Sequence, residues 1–232
     1  MFAYLLLTAL LAASDPSADL DRARTLAGSG DLKAAAEVLK SVTTTFPTWG
    51  IAQVELAKVL LDAGGEDPLL EKSVLAARAL EPLNPRAWLL AGRFFELRKD
   101  PAMALEAFQR ALDLRPDLAD AHLGLGLALH QVGRSSEAVD HLKLAAAARR
   151  DDRQVRLTLA EAMEKSADLK GAESVLRELI ADAPKNPIYR RQLIDFLDRT
   201  GQVEKAAAES KKADAATGKN ARKLRPLPAS GR

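Results

Sequence analysis

The chain has no cysteine among its 232 residues, so neither a disulfide framework nor a lipid-bearing N-terminal cysteine can form. Aromatic residues make up only 4% against 47% hydrophobic residues in total, so the core must be assembled from alanine and leucine between closely spaced elements. Three histidines, His122, His130 and His141, are the whole imidazole supply. No two stand at i, i+4 and no HExxH occurs, so no metal site is expected. No run of alternating Val, Ile, Thr or Tyr marks a strand. There is no GxxxxGK[ST] and no GxSxG, and Gly124-Leu125-Gly126 is a GxG without a preceding strand or a third glycine. The i, i+3 acidic pairs Glu161/Glu164 and Asp195/Asp198 read as ordinary charge on solvated helical faces. With no catalytic constellation, the chain is read as non-enzymatic, without cofactor and without small-molecule substrate.

What the chain does have is a period of thirty-four residues. Trp88, Ala91, Gly92 and Phe95, then Ala104, Phe108, Ala111 and Pro116, return one period later as His122, Leu125, Gly126 and Leu129, then Ala138, Leu142, Ala145 and Arg150. The next period gives Arg156, Leu159, Ala160, Met163, Ala172, Leu176, Leu179 and Pro184, and the one before gives Val54, Ala57, Lys58, Leu61, Leu70, Val74, Ala77 and Pro82. Counting slots from the start of each unit, slots four, seven, eight and eleven share one face of a first helix. Slots twenty, twenty-four and twenty-seven share one face of a second. Small residues at slots eight and twenty (Gly92, Ala104) let the two helices approach, and Trp88 and Phe108 are expected to be buried beside them. Between the helices stand Gly30-Asp31, Gly64 to Pro68, Asp100-Pro101, Gly133 before Ser135, and Ala167-Asp168. Each places an Asp or Ser to cap the second helix. A fixed period of this length means stacked helix pairs, not a closed enzyme core.

This pattern resembles the tetratricopeptide repeat over about 16–220, with units at 16–49, 51–84, 85–118, 119–152, 153–186 and 187–220. The resemblance implies an all-α fold, a right-handed superhelical solenoid of helix-turn-helix repeats. It also implies a concave groove lined by slots two, five, nine, twelve and thirteen of the first helices. At those slots stand Leu89, Arg93, Leu97, Leu123, Leu127, His130, Leu157 and Glu161, the candidate protein-binding residues. The leucines form either a docking track for an apolar or amphipathic partner segment or packing between adjacent first helices. Arg24 and Arg93 toward one end, and Glu161, Glu164, Asp195 and Asp198 toward the other, suggest a polarity that would orient a charged peptide. Slot five never holds Lys and slot nine never holds Asn, so the chaperone-binding members of the family, which grip an acidic C-terminus through those residues, are set aside.

Both ends differ from the repeats. Phe2 to Ala13 is almost wholly apolar, too short to span a bilayer but matched to the hydrophobic part of a secretory signal, with Ala12-Ala13-Ser14 before Asp15. Residues 1–14 are therefore read as a signal peptide; the other reading is an apolar segment packed on the repeats. From Lys211 to Arg232 seven basic residues face one acidic one, a charge of +6 that leaves −4 for the rest of a chain whose total is +2. Residues 221–232 are read as a basic disordered tail. It has no aromatics for base stacking, so nucleic acid is not the expected partner. Membrane contact is expected only through the N-terminal apolar segment or this tail. Two functions remain. One is a periplasmic or secreted scaffold, resembling bacterial exported proteins of this family that assist assembly of a secretin, pilus or polysaccharide-export complex. The other is a cytoplasmic adaptor whose tail engages nucleic acid or membrane.

Overall fold

The computed structural model describes residues 15–217, with side chains to Asp214. The signal peptide expected at 1–14 and the basic tail expected at 221–232 lie outside the described residues. Among the described residues there are twelve helices and no strand: α1 (Pro16–Gly28), α2 (Leu32–Thr45), α3 (Gly50–Asp62), α4 (Leu69–Leu80), α5 (Pro85–Leu97), α6 (Pro101–Leu114), α7 (Ala119–Gln131), α8 (Ser135–Ala148), α9 (Arg153–Lys165), α10 (Leu169–Asp182), α11 (Pro187–Arg199) and α12 (Val203–Thr217). From α5 onward the first helices and the second helices each start at thirty-four-residue steps. No described helix is long and apolar enough to cross a membrane.

At three of the turns one residue closes the first helix and opens the second. The backbone N–H groups of Asp31, Asp100 and Asp168 donate to Leu26, Phe95 and Met163, the five-residue return that ends a helix on a left-handed residue. Their side chains then accept from Ala34, Met103 and Gly171 at 2.9–3.1 Å, satisfying orphan donors of the next helix. The left-handed position itself is Gly30, Gly133 and Gly201 in three repeats, but Lys99 (φ 58) and Ala167 (φ 66) in two others, each carrying roughly 1 kcal/mol of strain that glycine would avoid. Asp67 caps α4 through the Leu69 N–H at 2.9 Å, a bond that, with Lys40, holds its carboxyl below the usual range. Ser135 departs from the expected pattern. It is the first residue of α8, buried, with no capping bond from its predecessor Arg134, and its hydroxyl instead lies 3.1 Å from His130 Nδ1.

Contacts divide the chain into two compact units, 1–128 and 129–232, with the division inside α7. In the first unit each helix from α1 to α6 packs on the next, and α1 on α3 and α3 on α5 as well. The core holds Leu39, Leu56, Leu70, Val74 and Phe108 between alanines, Ala104 among them. Phe108 is 0% exposed and lies between α5 and α7, where a methyl group on either Gly92 or Gly124 would overlap its ring. Trp88, expected in the core beside it, is only half-buried, because its Nε1 donates to the Pro82 carbonyl at 2.8 Å and its face is covered by the Arg78 guanidinium, 4.4 Å away. His122, one period on, places Nε2 2.8 Å from the Pro116 carbonyl. The carbonyl can only accept, so this nitrogen carries the proton and the imidazole copies the indole.

In the second unit α8, α9, α10, α11 and α12 pack in sequence. Leu142, Leu179, Leu193, Phe196 and Leu197 form its core. The last helix is held by charge as well as by Ala206. Glu209, 4% exposed, accepts from Arg177 and Arg190 at 3.1 Å and from Lys212 at 2.8 Å. Burial pushes this carboxyl up, but the bonds from Lys212 and Arg177 outweigh it and hold it below the usual carboxylate range.

Candidate protein-binding face

In the first unit the candidate stripe runs along α5 and α7, away from the buried residues Ala87, Leu90, Ala91 and Phe94 of α5. Leu89, Leu123 and Leu127 are half-buried, and Leu97 is 49% exposed, lying across the turn at Gly65. Arg93 is half-buried and bonds Asp62 of the preceding repeat at 3.0 Å. Arg24 bonds Glu55 of the following repeat at the same distance. The two arginines expected to mark a positive end are therefore each neutralised by a neighbouring carboxylate. Side chains at slot nine of one first helix reach a neighbouring first helix because α1 packs on α3 and α3 on α5.

Glu96, three residues beyond Arg93 on the same stripe, is the titratable group that sequence reasoning passed over. Burial pushes its carboxyl up to about 7, against a smaller downward pull from Arg93. The available signal was its place in Phe94-Phe95-Glu96-Leu97, an acid inside an apolar run. A carboxylate held in this way is short of a cation and gains if one arrives.

The second unit carries a different face. His130 is half-buried and tied to Ser135; burial, then the nearby Lys165 charge, lowers its pKa, with Glu161 acting the other way. Leu157, expected in the exposed track, is only 8% exposed, so at this position packing accounts for the leucine. Glu161 is exposed, as are Asp195 and Asp198. Glu164 takes both oxygens to Arg199 at 2.9 Å. The apolar part of the stripe thus belongs to the first unit and the acidic part to the second. Among the described residues no three His, Asp or Glu side chains gather closely enough to hold a metal ion.

Comparison with known proteins bears on the fold. Residues 102–133 match a TPR repeat family model and residues 133–194 a tetratricopeptide repeat family model. No curated protein matches the sequence. Among solved structures, pilF of Pseudomonas aeruginosa is similar with a TM-score of 0.67 and 18% identity, covering 86% of this chain and 90% of its own. YrrB, described as a TPR protein with an unusual peptide-binding site, has a TM-score of 0.67 at 18% identity, covering 79% of this chain and 94% of its own. MamA from Desulfovibrio magneticus RS-1 gives 0.62 at 18%, covering 73% and 95%. At such identities the likeness is one of fold. Residues 102–194 thus match tetratricopeptide-repeat family models, and the twelve described helices fit about six repeats of that kind.

Proposed function

We propose that the chain is a non-enzymatic interaction scaffold that captures an apolar or amphipathic segment of a partner protein on the Leu89, Leu97, Leu123 and Leu127 face of its first unit. The observation that carries this reading is a row of incompletely buried leucines beside arginines already paired within the chain, a surface with apolar area to cover. The fold supports protein or peptide binding as the class of activity. Leu123→Asp with Leu127→Asp is expected to abolish capture of partners from native extract. Because those leucines are half-buried, the single change Leu97→Asp accompanies it: at 49% exposure that site tolerates charge, and capture should fall at least tenfold with the melting curve unchanged. Unchanged capture by a folded Leu97→Asp protein and by the double variant would remove the face from consideration.

The same reading includes export to the periplasm through residues 1–14 and a part in assembling an envelope complex of secretin, pilus or polysaccharide-export type. It is supported by the apolar run Phe2 to Ala13 followed by small residues before Asp15. Residues 1–18 fused to a reporter active only outside the cytoplasm should give activity, with cleavage near Ser14-Asp15. A silent reporter with an intact start would favour the cytoplasmic adaptor.

A further inference from the structure

Three successive repeat junctions solve the same packing problem in three ways. At the first, Arg78 lies over the ring of Trp88, whose N–H reaches the Pro82 carbonyl at 2.8 Å. One period on, Leu112, His122 and Pro116 occupy those positions, with the imidazole on the Pro116 carbonyl at the same distance. One period further the three positions read Ala146, Arg156 and Arg150. Alanine is smaller than either predecessor, and Arg156 brings a guanidinium in place of a ring. Its Nη1 goes to Asp182 at 2.6 Å on α10, and its Nε is left buried with no hydrogen-bond partner. At this junction a half-open cleft of about 640 Å³ lies between α8, α9 and α10, where Ala146, Ala147, Leu159 and Val175 stand among charged side chains.

We propose that this cavity is a binding site for an aromatic side chain, an indole or phenol ring, presented by a partner protein. Each component that the ring needs is present. Ala146, Leu159 and Val175 offer apolar carbons to a ring face among charged side chains. Arg150 and Arg156 both line the space, so a guanidinium can cover the ring as Arg78 covers Trp88. The main chain at position 150 stands in register with the two prolines whose carbonyls accept from Trp88 and His122. An indole N–H or a phenol O–H would meet the acceptor that the chain's own rings use. The volume lies in the range of cavities that hold small molecules, which leaves room for the segment that carries the ring. Asp151, Glu178 and Asp182 balance Arg150, Arg153 and Arg156, so the site has no net charge to favour an anion instead. This site shares no residue with the leucine face.

The test uses the full chain, isotopically labelled, titrated with N-acetyl-L-tryptophanamide while amide resonances are followed. Saturable shifts are expected at Ala146, Ala147, Leu159 and Val175, and none with N-acetyl-L-alaninamide. Ala146→Leu restores the leucine of the preceding junction and should weaken binding at least tenfold; Arg156→Trp should do the same by supplying the ring from within. If one variant fails to fold, the other decides. Absence of saturable shifts at those four residues, or titrations unchanged in a folded variant, would overturn the proposal. The Leu97→Asp protein should bind the probe as the parent does, so failure here leaves the leucine face standing and the reverse also holds.

Discussion

Phe108→Ala should destabilise the first unit by about 3–5 kcal/mol, read as a lower denaturation midpoint at unchanged slope. The ring is 0% exposed and is held between α5 and α7, so its loss leaves a space that two helices must close or leave empty. Gly124→Ala is expected to be destabilising too, by about 1–3 kcal/mol, because the added methyl overlaps that ring and outweighs the roughly 1 kcal/mol that alanine gains over glycine within a helix. The combination is the informative measurement. With Phe108 removed, the methyl at 124 enters vacated space, so the double variant should lose less than the two singles summed, by about 1 kcal/mol or more. Simple additivity would mean that the ring is not what fixes the spacing of these helices.

Glu96→Gln should stabilise the protein at pH 8 and do almost nothing at pH 4. The carboxyl titrates near 7 in the folded chain, against an ordinary value of 4.5. Between those values the folded state holds a proton that the unfolded chain has released. Stability contributed at this site is therefore full below about pH 4.5, falls as pH rises, and is flat above about pH 7. At about 1.36 kcal/mol per pH unit the unscreened loss would be about 3.4 kcal/mol. Partial exposure screens it, so about 1–3 kcal/mol is expected. Other carboxylates titrate in the same range, so the quantity to follow is the difference between variant and parent across pH. A difference that does not change between pH 4 and pH 8 would mean that the carboxyl is not desolvated.

The repeats were legible in the sequence because their signal is periodic and local. Slots that must be small or large recur every thirty-four residues, and Asp31, Asp100 and Asp168 announce three of the second helices by chemistry that needs only the next three residues. The face was legible only in part. A residue's slot says which way it points, but its exposure depends on what the next repeat sets against it. Leu97 and Leu157 differ in exposure, 49% against 8%, for that reason. The charge polarity failed in the same way: Arg24 and Arg93 are positive in a list of residues and neutral in space, since their partners are thirty-one residues away. Ser135 looked like a cap because serine usually caps, and His130 takes its hydroxyl instead. Each miss involves a contact between elements, where helical spacing carries no information.

The pairing of Arg24 with Glu55 and of Arg93 with Asp62 has a kinetic consequence. Arginines paired within a few ångströms cast less field beyond them than free ones would, so a partner is drawn in only weakly from a distance. Encounter would then run at the unsteered rate for protein association, about 10⁵–10⁷ M⁻¹s⁻¹, and change little with ionic strength. Discrimination would come after contact, in how long a segment stays on Leu89, Leu123 and Leu127. Partners would differ in residence time and not in arrival.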